Sequence, residues 1–102
     1  DWYLAANLSS SATLDDHLLP GLDPAGVPKE LSGLTHAIRY NSFEDLNLLD
    51  SNPDIGVLIM EVMRSIEPAE GYLEAIRDKC NKNGIVLIFD ECTSFHVFNW
   101  YI

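Results

Sequence analysis

Two apolar runs in this chain stop at carboxylates, and those are the side chains placed where chemistry is done. Ile85-Val86-Leu87-Ile88-Phe89 ends at Asp90-Glu91-Cys92, and Ile55-Gly56-Val57-Leu58-Ile59-Met60 ends at Glu61. An apolar run without alternation suits a strand inside a parallel sheet covered on both faces. Open α/β sheets bind ligands at the carboxyl ends of their strands, so Asp90, Glu91 and Glu61 are candidates. The plainer alternative for such acids is a solvated loop or a helix cap. A rival enzymatic reading makes Ile85 to Glu91 a Walker B strand, with Asp90 holding Mg²⁺ and Glu91 orienting water. That mechanism also needs a Gly-x-x-x-x-Gly-Lys-Ser/Thr loop to cradle phosphates, and the sequence contains none.

The remaining chemistry-bearing residues are less suggestive. His17 follows Asp15-Asp16, but no second histidine stands at ligand spacing, so the cluster reads as solvated charge and no metal is expected. His36 and His96 read as ordinary strand residues, Trp2 and Trp100 as core or interface residues, and Cys80 as a helix-core residue. With 16 acidic against 6 basic residues the formal charge is −10. That charge argues against nucleic acid and anionic membrane as partners, since both favour basic patches. There is no run of roughly 18 apolar residues to span a bilayer and no basic-then-apolar signal peptide. Two cysteines without a Cys-x-x-Cys motif point to a reducing cytoplasm.

The elements that would position the acids follow from periodicity. Asp1 to Leu8 reads as a short helix, and Ser9 to Pro28, rich in serine, proline and glycine, reads as an extended loop. Thr35-His36-Ala37-Ile38-Arg39-Tyr40 alternates and is expected to be a short strand. Ser42-Phe43-Glu44-Asp45 fits a capping box, with Ser42 accepting the Asp45 amide, and opens a helix over residues 43 to 50 that Asn52-Pro53 ends. Pro68 is expected in the first turn of the next helix. Tyr72, Leu73, Ile76 and Cys80 form its apolar stripe, and Asn83-Gly84 its left-handed stop. Strand, helix, strand, helix, strand with right-handed crossovers gives an α/β fold with a mostly parallel three-strand sheet over residues 35–94, a βαβαβ core. Residues 1–34 precede it as short helix and loop, and the apolar tail 95–102 follows, an edge strand or an exposed end.

Taken as a string, Ile88-Phe89-Asp90-Glu91-Cys92-Thr93-Ser94 resembles the Phe-Asp-Glu-Val segment of class III pyridoxal-phosphate aminotransferases, above all their glutamate-1-semialdehyde aminomutase branch. The resemblance runs back through Gly71-Tyr72-Leu73-Glu74-Ala75-Ile76-Arg77, Val57-Leu58-Ile59-Met60-Glu61 and Tyr40-Asn41, covering residues 27 to 94 in the family's order. It departs after Ser94, where Phe95-His96 replaces the family's Gly-Phe-Arg, and at Glu61-Val62, where the family has Glu-Pro.

The resemblance implies part of a three-layer, fold type I large domain with pyridoxal 5'-phosphate as cofactor. Asp90 would be the partner of the pyridinium, because a carboxylate beside that nitrogen favours its protonated, electron-withdrawing form. Cys92 would pack on the ring face, and Glu61 and Glu91 would stand behind Asp90 as supporting acids that do not themselves touch the ring. The lysine that forms the Schiff base lies downstream of the Asp-Glu pair in the family. Here Lys29, Lys79 and Lys82 all precede Asp90, so no catalytic residue is assigned. The family's phosphate-binding loop lies upstream of the matching segment. With the chain opening on Asp1 rather than Met, the expectation is an excerpt of a longer protein, inactive alone. The resemblance implies that the complete enzyme is a homodimer that transfers an amino group between small donors and acceptors or shifts one between neighbouring carbons of one substrate. The competing expectation is a non-catalytic acidic α/β module that binds a partner.

Overall fold

A computed structural model of the chain describes residues 2–10, 13–15, 17, 22–63 and 65–92. The chain divides into two units, Asp1–Arg39 and Tyr40–Ile102. In the first, α1 (Trp2–Ala5) runs on as a 3-10 turn, Ala6–Leu8, which matches the short helix expected there. From residue 9 to 28 the described backbone makes turns only, closed by bonds such as His17 N–H to Leu14 O at 3.0 Å and Val27 N–H to Pro24 O at 3.0 Å. Asn7, almost wholly buried, ties this loop down by donating from Nδ2 to Leu22 O at 2.9 Å.

The second unit is built on a β-α-β crossover. Strand β1 (Val57–Glu61) pairs in parallel with β2 (Val86–Asp90), in the register Val57 to Val86 through Glu61 to Asp90. Between them runs α3 (Tyr72–Asn83). Of its predicted stripe, Tyr72, Ile76 and Cys80 are each 1% exposed or less, and Leu73 is half-buried. The helix stops as expected, with Gly84 in the left-handed region at φ 68°. There the amides of Gly84 and Ile85 both donate to Cys80 O, the bond that lets a helix turn straight into a strand. Val86 N–H then donates to Gly56 O at 2.9 Å and starts the ladder.

Three expectations need correction. Thr35–Tyr40 is not a strand: among the described residues the sheet has two strands, and residues 35–39 carry no regular structure. Alternation in a six-residue run confers no structure unless a ladder partner is at hand, and β1 and β2 pair with each other instead. Pro68 lies ahead of the helix, which begins at Tyr72 after a turn closed by Tyr72 N–H to Ala69 O. Among the described residues, only one face of the sheet is covered. Leu58 is buried, whereas Val57, Ile59, Val86 and Ile88 are exposed. Side chains alternate along a strand, so the helix layer lies on the Leu58 and Leu87 side and the opposite apolar face is open. The tail 95–102 lies outside the described residues.

The helix expected over 43–50 is a 3-10 turn, Asp45–Asn47, continued by α2 (Leu48–Ser51). Ser42 Oγ accepts the Asp45 amide at 3.2 Å as predicted, and Leu46 and Leu49 are buried. Asp50 on α2 accepts from Lys79 Nζ, from Lys82 Nζ at 3.2 Å and from Asn83 Nδ2 at 2.9 Å, joining α2 to the last turn of α3. The Lys79 bond, then Asn83 and Lys82, hold the Asp50 carboxyl well below the usual carboxylate range.

Two outcomes follow from this packing. Tyr72 receives the edges or faces of two rings, Tyr40 at 5.6 Å and Phe43 at 5.4 Å between centroids, so Tyr72→Ala removes the hub of an aromatic cluster. A cost of about 3–5 kcal/mol is expected, read as a fall in urea midpoint. An acid whose folded pKa is depressed adds stability above its unfolded value of about 3.9 and loses it as pH drops through the lower folded value. The urea midpoint of the native chain should therefore exceed that of Asp50→Asn at neutral pH. The gap should close only as the pH falls below about 4, through the depressed range.

Candidate functional site at the carboxyl end of the sheet

The parallel register brings Glu61 and Asp90 to neighbouring positions at the same end of the sheet. Adjacent strands lie about 4.8 Å apart, and side chains at paired positions of a parallel ladder share a face. Sequence reasoning put each acid at a strand end but could not pair them, because register is a property of two strands. Asp90 is exposed and Glu61 half-buried. Asp90 Oδ1 accepts the backbone N–H of Cys92 at 3.0 Å, an Asx turn that fixes the carboxylate's orientation at the strand end.

That turn changes the argument for Cys92. The strand ends at Asp90 and the backbone then turns, so the alternation of strand side chains does not carry on to Cys92. Cys92 is nonetheless held against Asp90, through its amide, and its thiol is free and exposed. Glu91 is half-buried beside them. Cys80 is a buried thiol, as the helix pattern predicted, and burial pushes its pKa up, which keeps it protonated and inert.

The excursion between β1 and α3 is fixed by a residue whose role the sequence did not reveal. Asn41 has a left-handed backbone, φ 63°, and its side-chain amide makes two bonds to main chain far along the sequence. Nδ2 donates to Glu67 O at 2.9 Å and Oδ1 accepts from Ala69 N–H at 2.8 Å, so the amide stands in for a strand partner. Beside it the Tyr40 phenol donates to Val62 O, immediately after Glu61, and burial raises the pKa of that phenol. Val62 stands where the family pattern has proline. A proline leaves its carbonyl as an acceptor, so the tyrosine tether does not depend on which residue is there. The only available signal for this clamp was an asparagine, a residue that tolerates the left-handed region, just before a helix cap.

The lysines stand elsewhere. Lys79 and Lys82 lie in the last turns of α3 and are engaged by Asp50. Those turns lead into the first residue of β2, the opposite end of the strand from Asp90. Among the described residues no group of three or more His, Cys, Asp or Glu could hold a metal ion. None of the described helices is long and apolar enough to cross a membrane.

Over a stretch that takes in most of its length, the chain is similar to proteins named glutamate-1-semialdehyde 2,1-aminomutase. It is 39% identical over 72 residues to the glutamate-1-semialdehyde 2,1-aminomutase of Desulforamulus reducens, covering 65% of this chain and 17% of that protein. The enzyme of the same name from Geotalea daltonii is 37% identical over 78 residues, 71% of this chain and 18% of the relative. That of Campylobacter fetus subsp. fetus is 38% identical over 73 residues, 68% and 17%. The chain thus spans about a sixth of the length of the curated relatives it matches. No family model matches the chain, and no solved structure matches it.

The clamp yields a direct test. Asn41→Gly keeps the left-handed backbone accessible while deleting both side-chain bonds, so it separates the clamp from backbone strain. Hydrogen exchange at the Ala69 amide should accelerate strongly in Asn41→Gly, with exchange in the centre of α3 unchanged.

Proposed function

We propose that this chain provides the cofactor-ring end of a pyridoxal-phosphate site of the aminomutase type, within a three-layer, fold type I large domain. The observation that carries the reading is Asp90: a carboxylate at the carboxyl end of a parallel strand, in a stretch 39% identical to a glutamate-1-semialdehyde 2,1-aminomutase. The residues fit one end of that cofactor. Asp90, oriented by the Cys92 amide, would face the protonated ring nitrogen and hold its proton by charge. When bound, the cofactor supplies an electron sink for shifting an amino group on a small substrate. Glu61 and Glu91 add negative charge around Asp90, and Cys92 offers a small polarisable side chain next to it. The tether from Tyr40 to Val62 and the Asn41 clamp keep the adjoining excursion in place.

The phosphate end and the covalent link are not met by these 102 residues. No lysine follows Asp90, and Lys79 and Lys82 belong to the Asp50 cluster. Amino-group transfer between small donors and acceptors, the homodimeric state and the cytoplasmic setting therefore belong to the reading of a complete enzyme, and the chain by itself is proposed to be non-catalytic. A second reading, a non-catalytic acidic module that binds a partner, is favoured by one observation, the open apolar face of the sheet.

Titration of the purified chain with pyridoxal phosphate, followed by absorbance, tests the cofactor reading. Binding is expected to weaken by about tenfold to a hundredfold in Asp90→Ala, the worth of a charge-assisted hydrogen bond. No amino-group transfer should accompany it. Binding that is indifferent to Asp90→Ala would sink the assignment.

A further inference from the structure

We propose that Asn83-Gly84 is a site of spontaneous deamidation, and that the Asp50 cluster is the latch that holds it shut. It is the only Asn-Gly pair in the sequence. An asparagine before glycine is the pair most open to this reaction, because glycine has no side chain to keep its nitrogen from the asparagine carboxamide carbon. Both residues are exposed, and open space lies where a Cβ on Gly84 would stand. In the reaction the Gly84 nitrogen gives up its proton to solvent base and attacks Asn83 Cγ. A C–N bond forms, the Cγ–Nδ2 bond breaks, and Nδ2 takes up a proton and leaves as ammonia. Water then opens the resulting cyclic imide on one side or the other. One water is exchanged for one ammonia, and residue 83 becomes aspartate or isoaspartate.

The fold withholds both reacting groups. The Gly84 N–H donates to Cys80 O, which engages the nitrogen. The Asn83 carboxamide is held elsewhere, with Nδ2 donating to Asp50 Oδ1 at 2.9 Å and to Lys79 O, one turn back, at 3.0 Å. The bond to Lys79 draws the side chain toward the N-terminal side of its own residue, whereas the Gly84 nitrogen lies on the C-terminal side. Exposed helix ends open more readily than a buried helix face, and each opening that parts Asn83 from Asp50 frees the carboxamide for attack. Conversion is one-way. A carboxylate at position 83 has no proton to donate, so Asp50 Oδ1 and Lys79 O each lose a donor, and Asp50 gains a like charge beside it. Isoaspartate also adds a main-chain carbon just before the Gly84 amide, in the turn that leads α3 into β2. The product therefore frees α2 from the last turn of α3 and loosens the exit turn, a covalent mark that the latch has opened. None of this rests on the cofactor reading, whose carboxylate, Asp90, stands at the other end of β2.

Peptide mapping by mass spectrometry tests it on the full 102-residue chain, incubated at neutral pH with and without denaturing guanidinium chloride. Deamidation at Asn83 should be at least about tenfold slower in the folded chain, since the helix end has to open first. Asp50→Ala, with circular dichroism unchanged, should speed it about threefold in the folded chain, the scale of an exposed charged contact. Asn41-Ser42 is the internal reference, because its carboxamide is held by Glu67 O and Ala69 N–H instead of Asp50, and its rate should not change. Asn83→Asp, which carries the product's charge, should lower the urea midpoint, and Asp50→Ala should cost less in that background than in the native chain. No deamidation at Asn83 even in denaturant would overturn the site. Equal rates in folded and denatured chain, a rate indifferent to Asp50→Ala, or one that rises at Asn41 and Asn83 alike would overturn the latch.

Discussion

Parallel pairing is the constraint on which the second unit rests. Two parallel strands cannot be joined by a tight turn, so β1 and β2 require a crossover long enough to return the chain to the starting end of the sheet. The crossover here is α3, and its apolar stripe of Tyr72, Ile76 and Cys80 is what presses it against the sheet. The Cys80 carbonyl accepts both amides of the exit turn, so one buried residue anchors the helix by its side chain and ends it by its backbone. The Asp50 cluster at that end and the Tyr40 and Phe43 rings at the other hold the same helix from outside.

The carboxyl end of the sheet is ordered by different means. Among the described residues no regular element follows Glu61 or Asp90 directly, and the chain there is held by side chains acting on backbone. Asn41 bonds to the main chain at 67 and 69, Tyr40 to that at 62, and Asp90 to that at 92. Such bonds satisfy groups that helix or sheet would otherwise have to satisfy. They leave Asp90 at the surface of the unit, where a ligand reaches it, and Glu61 half-buried beside it.

What the sequence made legible was the periodic part. The apolar runs before Glu61 and Asp90 became β1 and β2, and the 3.6-residue stripe with its Asn83-Gly84 stop became α3, because in each the local pattern and the tertiary demand agree. The likeness to the glutamate-1-semialdehyde aminomutase branch agrees with the relatives of that name that the chain is similar to. The Thr35–Tyr40 strand failed because six alternating residues carry too little information to choose a ladder partner. Among the described residues only one sheet face is covered, because an apolar run reports that a strand requires cover and is silent on which segment supplies it. The pairing of Glu61 with Asp90 and the Asn41 clamp escaped notice for a common reason: each is a contact across more than 25 residues, and one-dimensional spacing does not encode it.

The in-register ladder also sets how this unit can change over evolutionary time. Strand side chains alternate with a period of two, so inserting or deleting a single residue inside Val57–Glu61 or Val86–Asp90 would carry its terminal acid to the opposite face and break the Glu61–Asp90 pairing. Between Val62 and Gly71 no such parity applies. Length variation between relatives should therefore collect in that excursion and on the exposed turns, while the spacing from Val57 to Glu61 and from Val86 to Asp90 stays fixed. The two strands act as a ruler, and only the connection between them is elastic.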